Sequence, residues 1–530
     1  MRSILVTLAL AAPLAAQTNA PISAADLKTR LYALAHDSMG GRATGSLGNF
    51  KAAEYVASEF CRFGLEPGGD HGTYFQSIPF FRFRPDESVS LSVDGVALQL
   101  GRDILPLAGA QVAFDHTPIV LGGTMDDSTT WIPSTAATGN VVVLTGPTTL
   151  AIGAALGRAR APRFATARLV LVALLDEVGG ETTASILAGR VSTDTTRRGF
   201  AGPIVALVSR AVAERIAGTP GHQATGQLSY GHFPLPYPAR NVVAILRGSG
   251  PDARNSYLAL TGHNDHVGFD RSPVDHDSLR AFNRVIRPMG ADSRFREPTA
   301  DERGKIRTIL DSLRAIRPPR LDSIRNGADD DGSGTVGLLE IAEQLSGRKP
   351  RLKRSVLFVS HAAEEEGLLG SAWFTDHSTV PIDSIVSETD MDMIGRGRSD
   401  DLPDAGPGYL EMIGMRRLST EYGDIIDRVN ARQKQPFVFN LTFDRPGHPL
   451  QYYCRADHYN YARYGVPAVA LSRGEHLDYH QVTDEAEYID YDALERVTRL
   501  VADIAIEIGN LDHRPKLDQP KGDPRAQCRQ

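Results

Sequence analysis

Two hydrophobic patterns alternate along the chain, and together they predict an α/β fold. Apolar residues recur at helical spacing in three stretches, residues 24–65, 335–345 and 494–508. Short continuous apolar runs, typical of buried strands, occupy residues 241–246, 257–261 and 355–360. Because strands alternate with helices, we expect a central mixed, largely parallel sheet flanked by helices. Functional side chains should then lie just beyond the carboxyl ends of the strands.

The pattern changes between about residues 107 and 233. Strand-like runs occur there at 118–121, 140–144, 169–174 and 203–208, separated by stretches rich in Gly, Thr and Ala. This pattern of short strands predicts a β-rich domain, residues 108–235, inserted into the main domain. The main domain would be discontinuous, comprising residues 21–107 and 236–512.

Two further segments depart from the α/β pattern. Residues 271–320 are polar and highly charged, with one helical stretch at 300–316. A loop of that length in a compact domain is usually functional or mobile, so the segment is either a lid or a surface elaboration without a role. The Pro-rich tail 513–530 is predicted to be disordered.

The amino terminus and the composition indicate the protein's localisation and argue against some classes of partner. Arg2 followed by an apolar core at residues 4–16 predicts a signal peptide, residues 1–20, and therefore a secreted or periplasmic protein. That core is too short to span a membrane, and no later stretch is long and apolar enough. The net charge of −7 over 530 residues and a pI near 6.1 argue against a nucleic-acid partner. Three cysteines allow one disulfide, whose pairing the sequence leaves open, as it does the oligomeric state.

Five short segments each offer a metal ligand. In chain order these segments contain His263, the run Asp329-Asp330-Asp331, the run Glu364-Glu365-Glu366, the pair Asp390 and Asp392, and His480. Imidazole and carboxylate groups are ligands that zinc accepts readily. The set suffices for two zinc ions that share a carboxylate, with one Glu left over as a base.

The residues alone do not decide every position in these segments. Any of the three adjacent Asp residues could bridge two metals, and the pattern does not choose between Asp390 and Asp392. Three adjacent Glu residues repel one another unless a cation is near, so one can ligate while its neighbour takes a proton from an activated water. His263 leaves a strand beside Asp265, which can accept a hydrogen bond from its imidazole. His266 is interpreted as a structural residue.

Together the segments resemble the co-catalytic two-zinc metallopeptidases, a family that includes secreted bacterial aminopeptidases and glutamate carboxypeptidase. The resemblance is carried by Gly262-His263-Asn264-Asp265, Gly327-Ala328-Asp329-Asp330-Asp331-Gly332-Ser333-Gly334, Glu364-Glu365-Glu366-Gly367-Leu368-Leu369-Gly370-Ser371, Asp392-Met393-Ile394-Gly395 and Tyr479-His480 with Asp484. It covers about residues 24–110 and 238–510. The insert at 108–235 resembles a protease-associated domain, which several members of that family carry.

The resemblance implies a role for each matched residue. The implied metal ligands are His263, Asp329 as the bridge, Glu365, Asp392 and His480. Glu364 falls on the general base, Asp265 on the hydrogen-bond partner of the first His, and Tyr479 on a residue that helps to stabilise the oxyanion. The cofactor would be two Zn²⁺ per chain.

The function implied is that of a secreted or periplasmic zinc exopeptidase acting on peptide substrates, with an aminopeptidase favoured over a carboxypeptidase. A glutaminyl cyclase-like acyltransferase remains an alternative, although the full two-metal set argues against it. A non-catalytic binding protein on the same scaffold is a third hypothesis. Such proteins lack some of the metal-ligating residues, whereas this chain keeps all five. The preferred side chain is left open.

Overall fold

The computed structural model describes residues 18–107, 111–146, 152–193, 203–252, 255–402 and 405–530. The chain divides into two compact units. The first comprises the described residues up to Ile78 together with Pro236–Gln530, and the second is Pro79–Leu235. Most of the predicted signal peptide, residues 1–17, lies outside the described residues.

The strands are short and occur in both units. Numbered in chain order, they are β1 Glu66–Pro67, β2 Phe75–Ser77, β3 Phe81–Pro85, β4 Ser90–Val93, β5 Val96–Ala97, β6 Ile104–Leu107, β7 Val112–Thr124, β8 Val141–Thr145, β9 Leu169–Val172, β10 Arg190–Ser192, β11 Val205–Val208, β12 Gln223–Leu228, β13 Tyr230–Pro234, β14 Arg240–Leu246, β15 Tyr257–His263, β16 Phe269–Asp275, β17 Leu321–Ile324, β18 Ser355–His361, β19 Ile385–Met391, β20 Tyr409–Ile413, β21 Val438–Asn440 and β22 Ala468–Ser472.

The α-helices include the predicted ones near 24–65, 335–345 and 494–508. They are α1 Ala24–Leu34, α2 Leu47–Arg62, α3 Ser134–Ala137, α4 Ile152–Ala159, α5 Gly180–Ala188, α6 Arg210–Gly218, α7 His276–Ile286, α8 Ala300–Arg314, α9 Gly334–Gly347, α10 Leu369–Asp376, α11 Thr420–Ala431, α12 His458–Ala462 and α13 Tyr491–Asn510. Across the described parts of the chain, none of these helices is both long and apolar enough to cross a membrane.

The first unit is built on a mixed sheet with strand order β1-β14-β18-β15-β19-β22-β20-β21, and β2 also pairs with β14. The four central strands β18, β15, β19 and β22 run parallel, whereas β14 and β20 run antiparallel to their inner neighbours. The predicted α/β class with a mixed, largely parallel sheet is therefore confirmed. Parallel neighbours bring the carboxyl ends of β15, β18 and β19 to one edge of the sheet.

Helices cover both faces of this sheet, and the central strands β15, β18 and β19 are accordingly buried along their whole length. On one face α1, α2, α9 and α13 pack against the sheet through side chains such as Leu338 and Val501. On the other face α10 and α12 contribute residues such as Phe374 and Tyr461. All four of these side chains are fully buried, so the sheet edge that carries the candidate ligands rests on a rigid core.

The second unit is β-rich, as the sequence indicates, but it begins earlier than predicted. Its main sheet has the order β5-β4-β12-β7-β8-β9-β11-β6, and a smaller sheet has the order β10-β3-β13. The predicted boundary at residue 108 is therefore misplaced, because β3, β4 and β6 pair with strands that lie beyond it. The boundary in the structure is at Pro79. That this unit is a protease-associated domain stays a prediction.

The charged segment 271–320 folds into ordered elements of the first unit. Strands β16 and β17 pair with each other, and α7 and α8 lie between them in the chain. Its role as a lid stays a prediction.

The carboxyl-terminal tail, predicted to be disordered, is held to the first unit. Cys528 forms a disulfide with Cys454, and Cys61 is a free, exposed cysteine. Gln530 donates a hydrogen bond to the carbonyl oxygen of Arg445 (3.1 Å), and Arg514 donates one to that of Ile385 (2.7 Å). The prediction of a disordered tail is wrong because these contacts involve residues remote in sequence, which composition does not reveal.

Candidate metal centre

The ends of adjacent parallel strands bring the candidate residues together. His263 is the last residue of β15, and Asp392 follows directly after β19. Glu364 and Glu365 lie in the turn that follows β18, whereas His480 lies in the long loop after β22. Residues that are distant in sequence therefore meet at one edge of the sheet, as the apolar runs ahead of them predict.

Asp330 lies at the centre of two groups of possible metal ligands. Its Oδ1 is 3.2 Å from Nε2 of His263, which is in turn 3.7 Å from Oδ1 of Asp392. Its Oδ2 is 2.9 Å from Nε2 of His480, which is 3.0 Å from Oε2 of Glu365. Each oxygen of one carboxylate thus faces a different group, an arrangement suited to bridging two cations.

Asp329, the residue predicted to bridge, does not face these groups. Its Oδ1 accepts a hydrogen bond from the backbone N–H of Gly395 (2.6 Å), and its Oδ2 lies 3.2 Å from Nε2 of His476. The segment Ala328–Ser333 turns with non-helical dihedral angles at Asp330 and Asp331, so adjacent side chains point in different directions. Of the three adjacent Asp residues, the structure therefore places Asp330, one residue beyond the predicted Asp329, between the two groups.

Two buried charged side chains hold this acidic turn in place. The carboxylate of Asp484 accepts hydrogen bonds from the backbone N–H groups of Asp329 (3.0 Å) and Asp330 (3.1 Å). The guanidinium of Arg42 donates to the carbonyl oxygens of Asn326 (2.5 Å) and Gly327 (2.9 Å). These bonds fix the backbone that aims the Asp330 carboxylate.

Glu364 and Asp265 lie beside the first group. Oε2 of Glu364 is 3.8 Å from Nε2 of His263, and burial raises the pKa of Glu364 well above its ordinary value despite the nearby imidazole. The carboxylate of Asp265 accepts a hydrogen bond from the backbone N–H of Glu364 (3.1 Å). Nδ1 of His263 lies 3.2 Å from the carbonyl oxygen of Asp265 and 3.6 Å from its carboxylate. The carbonyl oxygen of Asp265 is therefore closer to the His263 imidazole than its carboxylate is. The predicted roles of Glu364 and Asp265 stay predictions.

His266 belongs to the second group, although the sequence led to its interpretation as a structural residue. Its Nδ1 lies 2.8 Å from Oε1 of Glu365, on the side of that carboxylate away from His480. The ring is buried, and its atoms fall with Asp330, Glu365 and His480 in one set of possible ligand atoms. The sequence signal available was a second histidine three residues after the first, at the same strand end.

We expect the His266→Gln variant to bind metal more weakly at the second group. Loss of a partner that orients a ligating carboxylate typically costs about 10- to 100-fold in metal affinity. Titration with a competing chelator would measure this loss for the second of two bound ions, with the His36→Gln variant, altered at an exposed histidine, as the control. Equal metal retention by both variants would contradict the assignment.

Tyr479 is half-buried beside His480, with ring centroids 4.0 Å apart, and the charged segment supports both residues. Asn283 of α7 donates a hydrogen bond to the carbonyl oxygen of Leu477 (2.9 Å), and the backbone N–H of Ala291 donates to that of Tyr479 (3.1 Å). Gly290 approaches so closely that a Cβ there would lie 2.5 Å from the carbonyl oxygen of Tyr479. The segment therefore buttresses the loop that carries His480. The role of Tyr479 at an oxyanion stays a prediction.

A third group of possible ligands lies outside this centre and already contains a cation. His276, Asp322 and Glu485 have ligand atoms close together. The guanidinium of Arg320 lies 2.5 Å from Nδ1 of His276 and 3.3 Å from Oε1 of Glu485. Because that positive charge fills the space between the side chains, we do not assign a metal to this group.

The atoms that face one another in the two main groups fit a metal ion. Nε2 of His263, Nε2 of His480 and Oδ1 of Asp392 are buried and make no hydrogen bonds within the described structure. Burial lowers the pKa of His263, but the nearby carboxylates of Asp265, Asp330 and Asp392 outweigh burial and raise it well above its ordinary value. The site thus favours positive charge, and its mixture of imidazole and carboxylate is a donor set that zinc accepts.

Curated relatives share part of this chain. It is 29% identical over 221 residues to aminopeptidase Y of Saccharomyces cerevisiae, an alignment covering 38% of this chain and 37% of that protein. It is 31% identical over 196 residues to leucine aminopeptidase 1 of Paracoccidioides brasiliensis strain Pb18, covering 34% of this chain and 46% of that protein. The chain thus spans less than half the length of these relatives.

Solved structures resemble the fold over most of its length. BSAP, a zinc aminopeptidase from Bacillus subtilis, matches with a TM-score of 0.51 and 17% identity, covering 92% of this chain and 95% of that one. An aminopeptidase from Aneurinibacillus sp. strain AM-1 matches with a TM-score of 0.50 and 16% identity, covering 94% and 98%. At these identities the likeness supports the fold alone.

The family assignment rests on the region that contains the metal-centre residues. The profile described as Peptidase family M28 matches residues 241–505, half of the chain. That range begins at β14 and includes His263, Asp330, Glu365, Asp392 and His480. The resemblance to two-zinc metallopeptidases is thereby confirmed, and the chain belongs to peptidase family M28.

Proposed function

We propose that this protein is a zinc-dependent exopeptidase that removes amino-terminal residues from peptides, using two zinc ions. The observation that carries the proposal is the Asp330 carboxylate, whose two oxygens face two separate groups of ligand atoms. His263 and Asp392 would complete one ion's set, while Glu365 and His480 would complete the other's. Zinc bound there supplies a Lewis acid that polarises the scissile carbonyl and acidifies water toward neutral pH.

The side chains around the ions would carry out the proton transfers. Glu364 belongs to neither ligand group, yet its carboxylate lies 3.8 Å from the imidazole of His263. It is thus close enough to accept a proton from the attacking water and to return it to the leaving amine. Asp265 holds the backbone of Glu364 through the bond to its N–H group. Tyr479, whose ring lies beside that of His480, would donate a hydrogen bond to the developing oxyanion.

The charges near the centre favour an aminopeptidase over a carboxypeptidase. A carboxypeptidase needs a cationic group to bind the substrate's terminal carboxylate, a role that arginine commonly fills. Arg455, which lines the adjoining cavity, is already paired with Asp292 (2.6 Å) and Glu475 (3.3 Å). The carboxylates of the centre would instead attract a free amino terminus. Curated relatives named as aminopeptidases support the same choice.

A panel of substrates with free and blocked ends would test this proposal on zinc-loaded protein. We expect hydrolysis of peptides and aminoacyl-p-nitroanilides with a free amino group, and loss of that hydrolysis on acetylation of the amino group or removal of zinc. Cleavage that instead required a free carboxyl terminus would indicate a carboxypeptidase. Ring formation from a peptide with an amino-terminal Gln, without hydrolysis, would favour the glutaminyl cyclase-like alternative.

We also propose that the protein is exported, as a secreted or periplasmic enzyme. The apolar stretch that follows Arg2 motivates this, and the disulfide between Cys454 and Cys528 supports it because disulfides persist in oxidising compartments. Amino-terminal sequencing of protein recovered from outside the cytoplasm should show that residues up to about position 16 or 20 have been removed. An intact Met1 in that material would count against the proposal.

A further inference from the structure

A cavity of about 70 Å³ opens directly beside the metal centre. Asp392, Met393 and Tyr479 form the side nearest the centre, and Ile413 and Leu471 contribute apolar walls. A substrate whose scissile bond lies at the centre would place an adjacent side chain in this cavity. Its lining therefore bears on which substrates are accepted.

Two buried carboxyl groups line this cavity in addition to Asp392. Glu475 is only 9% exposed, and its Oε2 is buried without a hydrogen-bond partner. Glu411 is 2% exposed, and it accepts a hydrogen bond from the hydroxyl of Tyr409. Burying a carboxylate without a neighbouring cation costs free energy. An oxygen that lines a cavity and has no hydrogen-bond partner can accept a hydrogen bond from a ligand.

The chain supplies too little positive charge for these acids. Arg455 lies at the cavity, but it is shared between Glu475 and Asp292, the latter from the charged segment. One guanidinium is therefore shared by two carboxyl groups. Burial raises the pKa of Glu475 to about 8, an increase that Arg455 only partly offsets, and burial raises that of Glu411 to about 7 despite the hydrogen bond from Tyr409.

The apolar walls and the acidic lining together match one type of side chain. Lysine and arginine bury an aliphatic stem while presenting a charged head group. The stem would pack against Ile413, Leu471 and the Tyr452 ring, and the head group would reach Glu475. A leucine side chain would leave Oε2 of Glu475 without a hydrogen-bond partner, and an acidic side chain would add like charge.

We propose that this cavity holds the side chain of the substrate's amino-terminal residue and selects lysine or arginine, with Glu475 as the specificity-determining residue. This inference rests on the proposed aminopeptidase function, whose site it shares. Arg455, which is shared between Glu475 and Asp292, then positions Glu475. The charged segment contributes to selectivity through Asp292.

Hydrolysis of aminoacyl-p-nitroanilides by the zinc-loaded protein would test the selectivity. We expect kcat/KM for the Lys and Arg substrates to exceed that for the norleucine substrate, which matches the lysine stem without its charge, by about tenfold or more. In the Glu475→Gln variant that ratio should fall by about tenfold, while the zinc content is maintained. The Asp424→Asn variant, altered at an exposed carboxylate, should keep the native ratio.

Several outcomes would overturn the inference. A native preference for norleucine, or an unchanged ratio in both Glu475→Gln and Glu411→Gln, would show that these acids do not select the substrate. A preference for a glutamate substrate would assign recognition to Arg455 instead. If no substrate is hydrolysed, the proposed function fails, and calorimetry still decides the inference: lysinamide must bind more tightly than norleucinamide, and this difference must shrink in Glu475→Gln.

Discussion

Replacing Asp330 with asparagine is expected to remove most of the bound zinc and at least about a hundredfold of the peptidase activity. Among the described residues, Asp330 is the one residue shared by both ligand groups, with one oxygen facing His263 and the other facing His480. Asparagine has a similar shape but offers one oxygen without the negative charge. Both ions should therefore be weakened by one substitution, which elemental analysis and an aminoacyl-p-nitroanilide assay would measure.

The neighbouring Asp329→Asn variant is the matched control. Asp329 bonds to Gly395 and lies against His476, so its replacement should lower stability while leaving most of the zinc in place. Thermal unfolding would separate the two effects. Loss of both ions from Asp329→Asn, with Asp330→Asn still fully loaded, would restore the bridging role that the sequence resemblance gave to Asp329.

The sequence predicted the site well where a strand fixes the position of a ligand. His263 ends β15, which the apolar run at 257–261 predicts, and Asp392 follows β19; the parallel pairing of these strands brings their carboxyl ends to one edge. The order of the two adjacent Glu residues also agrees with the structure, in which Glu365 joins the ligand group and Glu364 does not. The apolar run ahead of His263 predicted its place at a strand end, whereas the choice of Asp392 over Asp390 and of Glu365 over its neighbours came from the family resemblance.

The acidic turn and His266 could not be placed in this way. Asp329, Asp330 and Asp331 are chemically identical, and only the path of the backbone decides which of them faces the ligand groups. That path is set by Asp484 and Arg42, which lie far away in sequence. His266 follows β15 and Glu365 follows β18, so their contact likewise joins segments that are distant in sequence.

The misplaced boundary at residue 108 and the ordered tail have a similar cause. β3 and β6 belong to the second unit because they pair with β13 and β11, more than ninety residues later in the chain. The tail is held by a disulfide between residues separated by 74 positions. Local composition indicates whether a segment by itself favours a helix, a strand or disorder. The domain boundary and the ordered tail depend instead on contacts between segments that are distant in sequence.

The Glu364→Gln variant is expected to keep its fold and its zinc but to lose about 10²- to 10⁴-fold in kcat, the typical contribution of a general base. Glutamine fills the same space, and Glu364 belongs to neither ligand group, so the metal content should not change. An amide cannot accept the proton of the attacking water at neutral pH. Substrate binding, and with it KM, should change much less than kcat.

The adjacent Glu365→Gln variant separates a base from a ligand. Glu365 lies 3.0 Å from Nε2 of His480 and 2.8 Å from Nδ1 of His266, so its replacement should weaken one ion and reduce activity through loss of zinc. Excess zinc should then restore part of the activity of Glu365→Gln and none of that of Glu364→Gln. The reverse result, with zinc rescuing only Glu364→Gln, would exchange the two roles. Because both variants remove one negative charge from adjacent buried positions, a general electrostatic effect cannot produce this difference.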